Sequence, residues 1–407
     1  MNKLNKATGV LAAGFFINMC IGILYAWSVI KQSLVEQGWS NADASMPYTV
    51  ATICFALSLL VAGNLQDRMG PRKVLILGTI MVGIGMIISS FASTPMTLLL
   101  TFGVVTGCGI GFGYACLSPA AMKWFHPSKK GMVNGLIAAG FGLAAVYLAP
   151  LTSTLIATYG VQQSFLILGV GILAIAVPLA CTINNPPSDY VPEAPAGYVA
   201  KTGAGDNNMV WRQMVKTPQF YSLWLMFALA SSAGLMVIGN ITSIAIKQSD
   251  LTQVAFLVVV LSIFNSGGRV AAGMLSDKIG GIKTLMLAFM MQGINMMMFA
   301  TYNTEFTLMI GAAVAGVGYG TLLAVFPSIT ADYYGLKNYG GNYGVLYTAW
   351  GVSGFIGPVV AATAVDMTGN YVMAYTICAA MLAVAVVLSF ITKPVKANAA
   401  EGQEATA

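Results

Sequence analysis

The sequence predicts an all-α membrane protein, twelve spanning helices arranged as two similar six-helix halves, and three observations carry that prediction. The chain has 407 residues, of which 57% are hydrophobic and only 8% charged, against about 25% charged in an ordinary soluble domain. Apolar stretches near the ~20 residues needed to cross a bilayer core recur along most of its length. A short polar pattern after the second stretch returns after the eighth.

In chain order the stretches run over 8–30, 47–65, 74–93, 97–121, 132–154 and 163–182, then 219–243, 252–275, 284–302, 307–330, 342–365 and 372–392. The first follows the basic segment MNKLNK, but it is long and has no small-residue cleavage site before Trp27, so it reads as a span and not a removed signal. The chain has forty-five glycines, many of them within the spans; in a membrane such small residues let helix backbones approach closely. Cys20, Cys54, Cys108, Cys116, Cys181 and Cys378 all fall in apolar runs without CxxC spacing, as buried thiols do, not disulfides or metal ligands. Between Asn184 and Pro218 the chain turns to proline, glycine and polar residues, the composition of a flexible linker. The expected division is therefore a first bundle over 1–183, a linker over 184–218, a second bundle over 219–393 and a disordered tail over 394–407.

Threading the spans alternately across a membrane puts Lys31 and Lys247 on one side and sixteen other Lys and Arg residues on the opposite side; Arg269 belongs to neither. The positive-inside rule then places both termini in the cytoplasm. The net charge of +6 reports this topology and not a nucleic-acid partner. No nucleophile–base pair, metal cluster or cofactor motif stands out, so neither an enzyme nor a cofactor is expected. The single histidine, His126, sits in a loop between Phe125 and Pro127, where it is either a cytoplasmic pH sensor or merely solvated.

Arg269 interrupts an otherwise uncharged run from Leu251 to Leu275. In a helix it would lie roughly 12 Å above Asp277, a depth at which insertion scales charge an arginine about 2.5–3.5 kcal/mol. Ser262 and Asn265, seven and four residues earlier, fall on the same helix face. Two readings are open: a polar stripe walling a wet pathway for a small anion, or a brace donating to the backbone carbonyls of another helix.

The halves repeat. GNLQDRMGPRK, from Gly63 to Lys73, is answered 210 residues later by GMLSDKIGGIK, from Gly273 to Lys283. Gly107, Gly109 and Gly111 in the fourth span are matched by Gly316, Gly318 and Gly320 in the tenth. Weak internal symmetry across a linker is the mark of a two-bundle transporter. With Gly63, Leu65, Asp67, Arg68, Gly70, Arg72 and Lys73, the first copy resembles the cytoplasmic loop motif of the major facilitator superfamily, a resemblance that covers nearly the whole chain. It implies a latch that holds the bundles in one access state, made by Gly63, Asp67, Arg68, Gly70 and Arg72 with Asp277 and Lys278 of the second copy. Asp67, at a helix end, can pair with basic groups or accept from the N-terminus of a neighbouring helix.

KWFHPSKKGMVNG from Lys123, TPQFYSLWLMF from Thr217, GRVAAGMLSDKIG around Arg269 and VFPSITADYYGLKNYGGNYGVLY from Val325 look like the oxalate/formate antiporter family and the related monocarboxylate transporters. That resemblance implies a carrier of small carboxylates in which Arg269 binds the carboxylate and Tyr25, Tyr114, Tyr319 and Tyr347 surround it. Each tyrosine can offer a hydroxyl donor, or can simply pack between helices. Two departures narrow the substrate. Oxalate exchangers carry a lysine in the eleventh span where this chain has Trp350, and animal monocarboxylate carriers have an aspartate where this chain has Asn265. One buried cation balances a monoanion such as lactate, pyruvate, acetate or formate, and no deep Asp or Glu is present to shuttle a proton.

The expected protein is thus a monomeric alternating-access carrier of a small monocarboxylate in a prokaryotic inner membrane, working by exchange or proton symport. Its partners are its carboxylate, protons and the lipid bilayer. The alternative within transporters is an oxalate/formate exchanger, and outside them a carboxylate sensor, for which a linker of about 35 residues is too small to hold an output module.

Overall fold

The computed structural model describes residues 3–187, 189–192, 208–249 and 254–395. Expectations for the middle of the linker and for the tail lie outside those residues. Within them every regular element is a helix, and eleven helices are long and apolar enough to cross a membrane. The longest, Pro127–Ala180, has 54 residues, about 80 Å of helix against a hydrocarbon core of about 30 Å. Gly160 inside it has φ 81° and ψ 171°, a conformation open to glycine and costly for residues with a Cβ. The helix is two crossings joined at that residue, which makes twelve.

We number them α1 (Lys6–Glu36), α2 (Asn41–Met69), α3 (Pro71–Ser89), α4 (Pro95–Met122), α5 (130–159), α6 (161–180), α7 (Pro218–Gln248), α8 (Ala255–Ile279), α9 (Gly281–Phe299), α10 (Glu305–Tyr334), α11 (Tyr339–Thr368) and α12 (Val372–Ile391). Their ends follow local chemistry. Gly70 (φ 83°) and Gly280 (φ 94°) stop α2 and α8 in the left-handed region and reverse the chain at once into α3 and α9. This is why the repeated motif keeps a glycine there. Thr94 with Thr97 and Thr304 with Thr307 build matching capping boxes at the starts of α4 and α10, so the internal repeat extends to cap chemistry. Irregularities are local: α1 tightens to a 3-10 turn at Ile23–Ala26, and α4 carries a π-helical stretch at Leu99–Thr106.

Packing among α1–α6 is led by α1 on α5, α2 and α3 on α4, and α3 on α6. Among α7–α12 it is led by α8 on α10, α7 on α11, and α9 on α12 and α10. Two seams join the sets, α5 with α8 and α2 with α11, related as first to second copy. Glycine makes both possible. A Cβ at Gly135 would strike the backbone carbonyl of Arg269, one at Gly131 or Gly273 would strike the facing glycine, and one at Gly63 would strike Gly340. Backbones this close gain dispersion contacts that lipid cannot supply.

The described ends of the linker lie against the end of the molecule that carries most of the basic residues, called here the basic end. Trp124 Nε1 donates to the Asn184 carbonyl and the Tyr190 hydroxyl to the Trp124 carbonyl. Beyond the undescribed stretch, Asn342 Nδ2 donates to the Met209 carbonyl.

Candidate functional site

The site grows from α8. Arg269 is fully buried and holds to two partners: Nε donates to Asn265 Oδ1 at 3.1 Å, one helical turn earlier, and Nη1 donates to the Ala138 carbonyl of α5 at 2.6 Å. Nη2 has no partner, and neither has the Ser266 hydroxyl beside it. Glycines bring the surrounding helices in. Gly316 and Gly320 of α10 press on the α8 backbone at Leu261 and Asn265, and a Cβ at Gly142 of α5 would stand 3.5 Å from Cζ of Arg269. A guanidinium has five N–H donors and no acceptor. With Nη2 unengaged, it keeps capacity to bind an anion.

Between the two helix sets lies a cavity of about 70 Å³, room for several waters where one needs about 10–15 Å³. Its wall comes from both helix sets. Tyr25 of α1, Tyr114 of α4, Tyr319 of α10 and Tyr347 of α11 all line it, and all four interact electrostatically with Arg269. Tyr25 lies within the 3-10 turn of α1. Further out the wall is mostly apolar, with Leu24, Leu235 and Ile238.

The structure therefore gathers the four predicted tyrosines around one space, and it sets the polar stripe differently from the expectation of a pathway wall. Ser262, Asn265 and Arg269 are 6%, 3% and 0% exposed, and none of them lines the cavity. The physical reason is the Ala138 carbonyl, which draws the guanidinium sideways into the α5–α8 seam. In the state seen, the arginine is the brace that the second sequence reading allowed.

Trp350, which stands where oxalate exchangers carry a lysine, lines the cavity. Its Nε1 donates to the Tyr319 hydroxyl at 2.6 Å, and its ring stacks on Tyr347 at 5.1 Å. Among the described residues lining the cavity there is no Lys, Arg, His, Asp or Glu. Sequence reasoning missed Tyr48, Thr52 and Phe55, which face the cavity from α2. Their i, i+4, i+7 spacing was a legible signal of one helix face.

At the basic end the two copies of the motif act on opposite seams. Asp67, ending α2, accepts from the Gly341 N–H at 3.0 Å, at the start of α11. Asp277, ending α8, accepts from the Gly131 and Met132 N–H groups at 2.7 and 2.8 Å, at the start of α5. Each carboxylate thus caps the N-terminus of a helix in the other set, where the helix dipole favours negative charge. Lys130 adds an ion pair with Asp332 at 3.2 Å. Lys123, just past α4, lies in electrostatic reach of Asp67; burial draws its ammonium below its ordinary pKa, and the carboxylate opposes that shift. Arg68, Arg72 and Lys278 are exposed at the same end, and Gly63 and Gly70 serve the close approach and the turn already described. His126 caps the turn that follows it, its Nδ1 accepting from the Ser128 N–H at 3.3 Å.

A family model described as Major Facilitator Superfamily matches residues 8–300 and 236–406. The oxalate:formate antiporter of Oxalobacter formigenes is 28% identical over 415 residues, covering 97% of this chain and 96% of that protein. Monocarboxylate transporter 12 of Homo sapiens is 25% identical over 405 residues, covering 92% and 77%. Among solved structures, the fucose:proton symporter FucP of E. coli superposes with a TM-score of 0.72 at 13% identity, covering 95% of this chain and 98% of that one. The human organic anion transporter MFSD10 gives 0.71 at 12% identity, covering 96% and 100%.

Proposed function

This chain belongs to the major facilitator superfamily of transporters, and from that premise we propose that it carries a small monocarboxylate across a prokaryotic inner membrane by alternating access. The observation that carries the reading is Arg269: a fully buried cation with one guanidinium nitrogen unengaged, in electrostatic reach of the four tyrosines that face the cavity. The similarity to an oxalate:formate antiporter and to monocarboxylate transporters supports the substrate class. Trp350 in the wall, with no second cation beside it, supports a monoanion over oxalate, whose second charge would enter the cavity unpaired.

The positive-inside rule puts the basic end in the cytoplasm. That end is the one closed by Asp67 and Asp277, so substrate reaches the cytoplasm only once those contacts part. The residues 1–183 and 219–393 act as the two moving bundles, and the paired motif is their latch. In this structure, Asn265 and the Ala138 carbonyl share the guanidinium, and the second bond ties α8 to α5. An entering carboxylate, held first by the tyrosine hydroxyls, offers Arg269 a charged partner, draws it from Ala138 and loosens that tie. The loaded carrier then turns over more readily than the empty one, so exchange outpaces net flux. Any proton that accompanies transport travels with the substrate or with water.

The test is uptake of labelled formate, acetate, pyruvate, lactate and oxalate into proteoliposomes, with and without internal substrate. We expect uptake of at least one monoacid, accelerated by internal substrate, and none of oxalate. Oxalate uptake above that of every monoacid would replace this reading with dicarboxylate exchange.

A further inference from the structure

A row of aromatic rings runs down one face of α11 from the cavity toward the basic end. Trp350 stacks on Tyr347, Tyr347 meets Tyr343 at 5.5 Å between ring centroids, and Tyr343 stacks on Tyr339 at 5.6 Å. The three tyrosines recur every four residues and span about 12 Å of helix. Tyr347 lines the cavity. Tyr343 and Tyr339 lie beneath it, 4% and 1% exposed, and their hydroxyls have no hydrogen-bond partner.

Those two orphaned hydroxyls need an explanation. A buried hydroxyl without a partner destabilises the state that buries it, whereas phenylalanine would fill the same space without that cost. Their surroundings suggest where the partner is found. Tyr343 is in electrostatic reach of Arg269, and Tyr339 of Asp67, so the pair spans the distance between the central arginine and the latch. The seam that adjoins them on α11 is the one that the latch closes: Gly340 against Gly63, Gly344 against Leu60, and the Gly341 N–H on Asp67. When that seam parts, this face of α11 becomes a wall of the passage to the basic end.

We propose that the Tyr343 and Tyr339 hydroxyls form a second anion site, a stepping pair that a carboxylate meets between the central cavity and the basic end once the α2–α11 seam opens. This rests on the reading of the central cavity as a carboxylate site. The pair donates to the anion in the open state and is dry and unpartnered in the closed one. It also stabilises the open state relative to the closed state, since only there are the hydroxyls satisfied.

Tyr343→Phe, Tyr339→Phe and the double variant test this in proteoliposomes sorted by orientation, with labelled acetate and pyruvate. A purely structural role predicts unchanged transport, because the deleted hydroxyls bond to nothing in the packed state. The stepping site predicts an unchanged or raised Tm, together with half-saturation from the basic face raised about ten-fold and from the other face unchanged or lowered. Basic-face half-saturation within about two-fold of the parent in all three variants would overturn it. A second measurement follows exposure directly. The thiol of Tyr343→Cys, with the six native cysteines replaced by serine, should react with an impermeant sulfonated methanethiosulfonate at the basic face during turnover; no reaction under turnover also overturns the proposal. Arg269→Ala separates the two readings. If it abolishes transport while the phenylalanine variants behave as the parent, the second site alone falls; if it transports as the parent does, the central site falls.

Discussion

Replacing Arg269 is the perturbation with the most to say, because its partners set the size of the effect. A bidentate carboxylate pair makes two charge-assisted bonds, each about 1.5–3 kcal/mol. Only one is wholly gained on binding. Nη2 is unengaged in this structure, whereas Nη1 must first leave the Ala138 carbonyl. The net contribution is then about 2–4 kcal/mol, one full charged bond and a part of the second. At ten-fold per 1.4 kcal/mol, Arg269→Ala should weaken substrate binding by about 30- to 700-fold. Arg269→Lys keeps the charge but presents a point cation in place of a planar fork, and should recover only part of that loss. Counterflow at increasing acetate or pyruvate measures half-saturation for the three proteins, and Tm checks that each is folded. A folded alanine variant with half-saturation within about three-fold of the parent would refute the assignment of Arg269 to the anion.

Two further outcomes follow from the same geometry. Asp277→Asn keeps one acceptor for the N–H groups of Gly131 and Met132 but removes the charge that the α5 N-terminus favours; at about 1–2 kcal/mol it should shift the carrier several-fold toward the state open at the basic end, seen as faster labelling of a thiol placed in the α5–α8 seam. Trp350→Phe keeps a ring on Tyr347 and removes the N–H held by Tyr319. Freed to rotate, the Tyr319 hydroxyl should donate less reliably to the anion, with half-saturation raised about three- to ten-fold and little change in Tm.

Much of this was legible in the sequence because it rests on rules that hold along one chain. Twelve apolar stretches gave the crossings to within about five residues, except that the first helix runs on to Glu36 and the second begins at Asn41, before the apolar run, under a Ser40 cap. Asp67 was readable as a carboxylate able to accept from a neighbouring helix start, and Gly341 donates to it. The four tyrosines came from resemblance and not from spacing: they sit on α1, α4, α10 and α11, and no local pattern reports that four distant helices meet. Ala138 was invisible for a stronger reason. Its contribution is a backbone carbonyl, which every residue has, and only the approach of α5 to α8 at Gly135 makes that carbonyl reachable.

That carbonyl also changes how the arginine is to be understood. A lone cation in an apolar span suggests a charge waiting for its substrate, yet in this state the guanidinium is half satisfied by protein. On the proposed reading, the partial tie is what would make a carrier and not merely a binding site. Were Arg269 wholly unpartnered, desolvation would oppose burying it in any empty state; were it fully bonded to α5, no small anion could compete for it. Two partners and one free nitrogen would leave the proposed anion a bond to form at once and another to win by exchange. Winning it cuts a contact between the helix sets, so the difference between the anion and the Ala138 carbonyl as partners is also the free energy available to bias the conformational step.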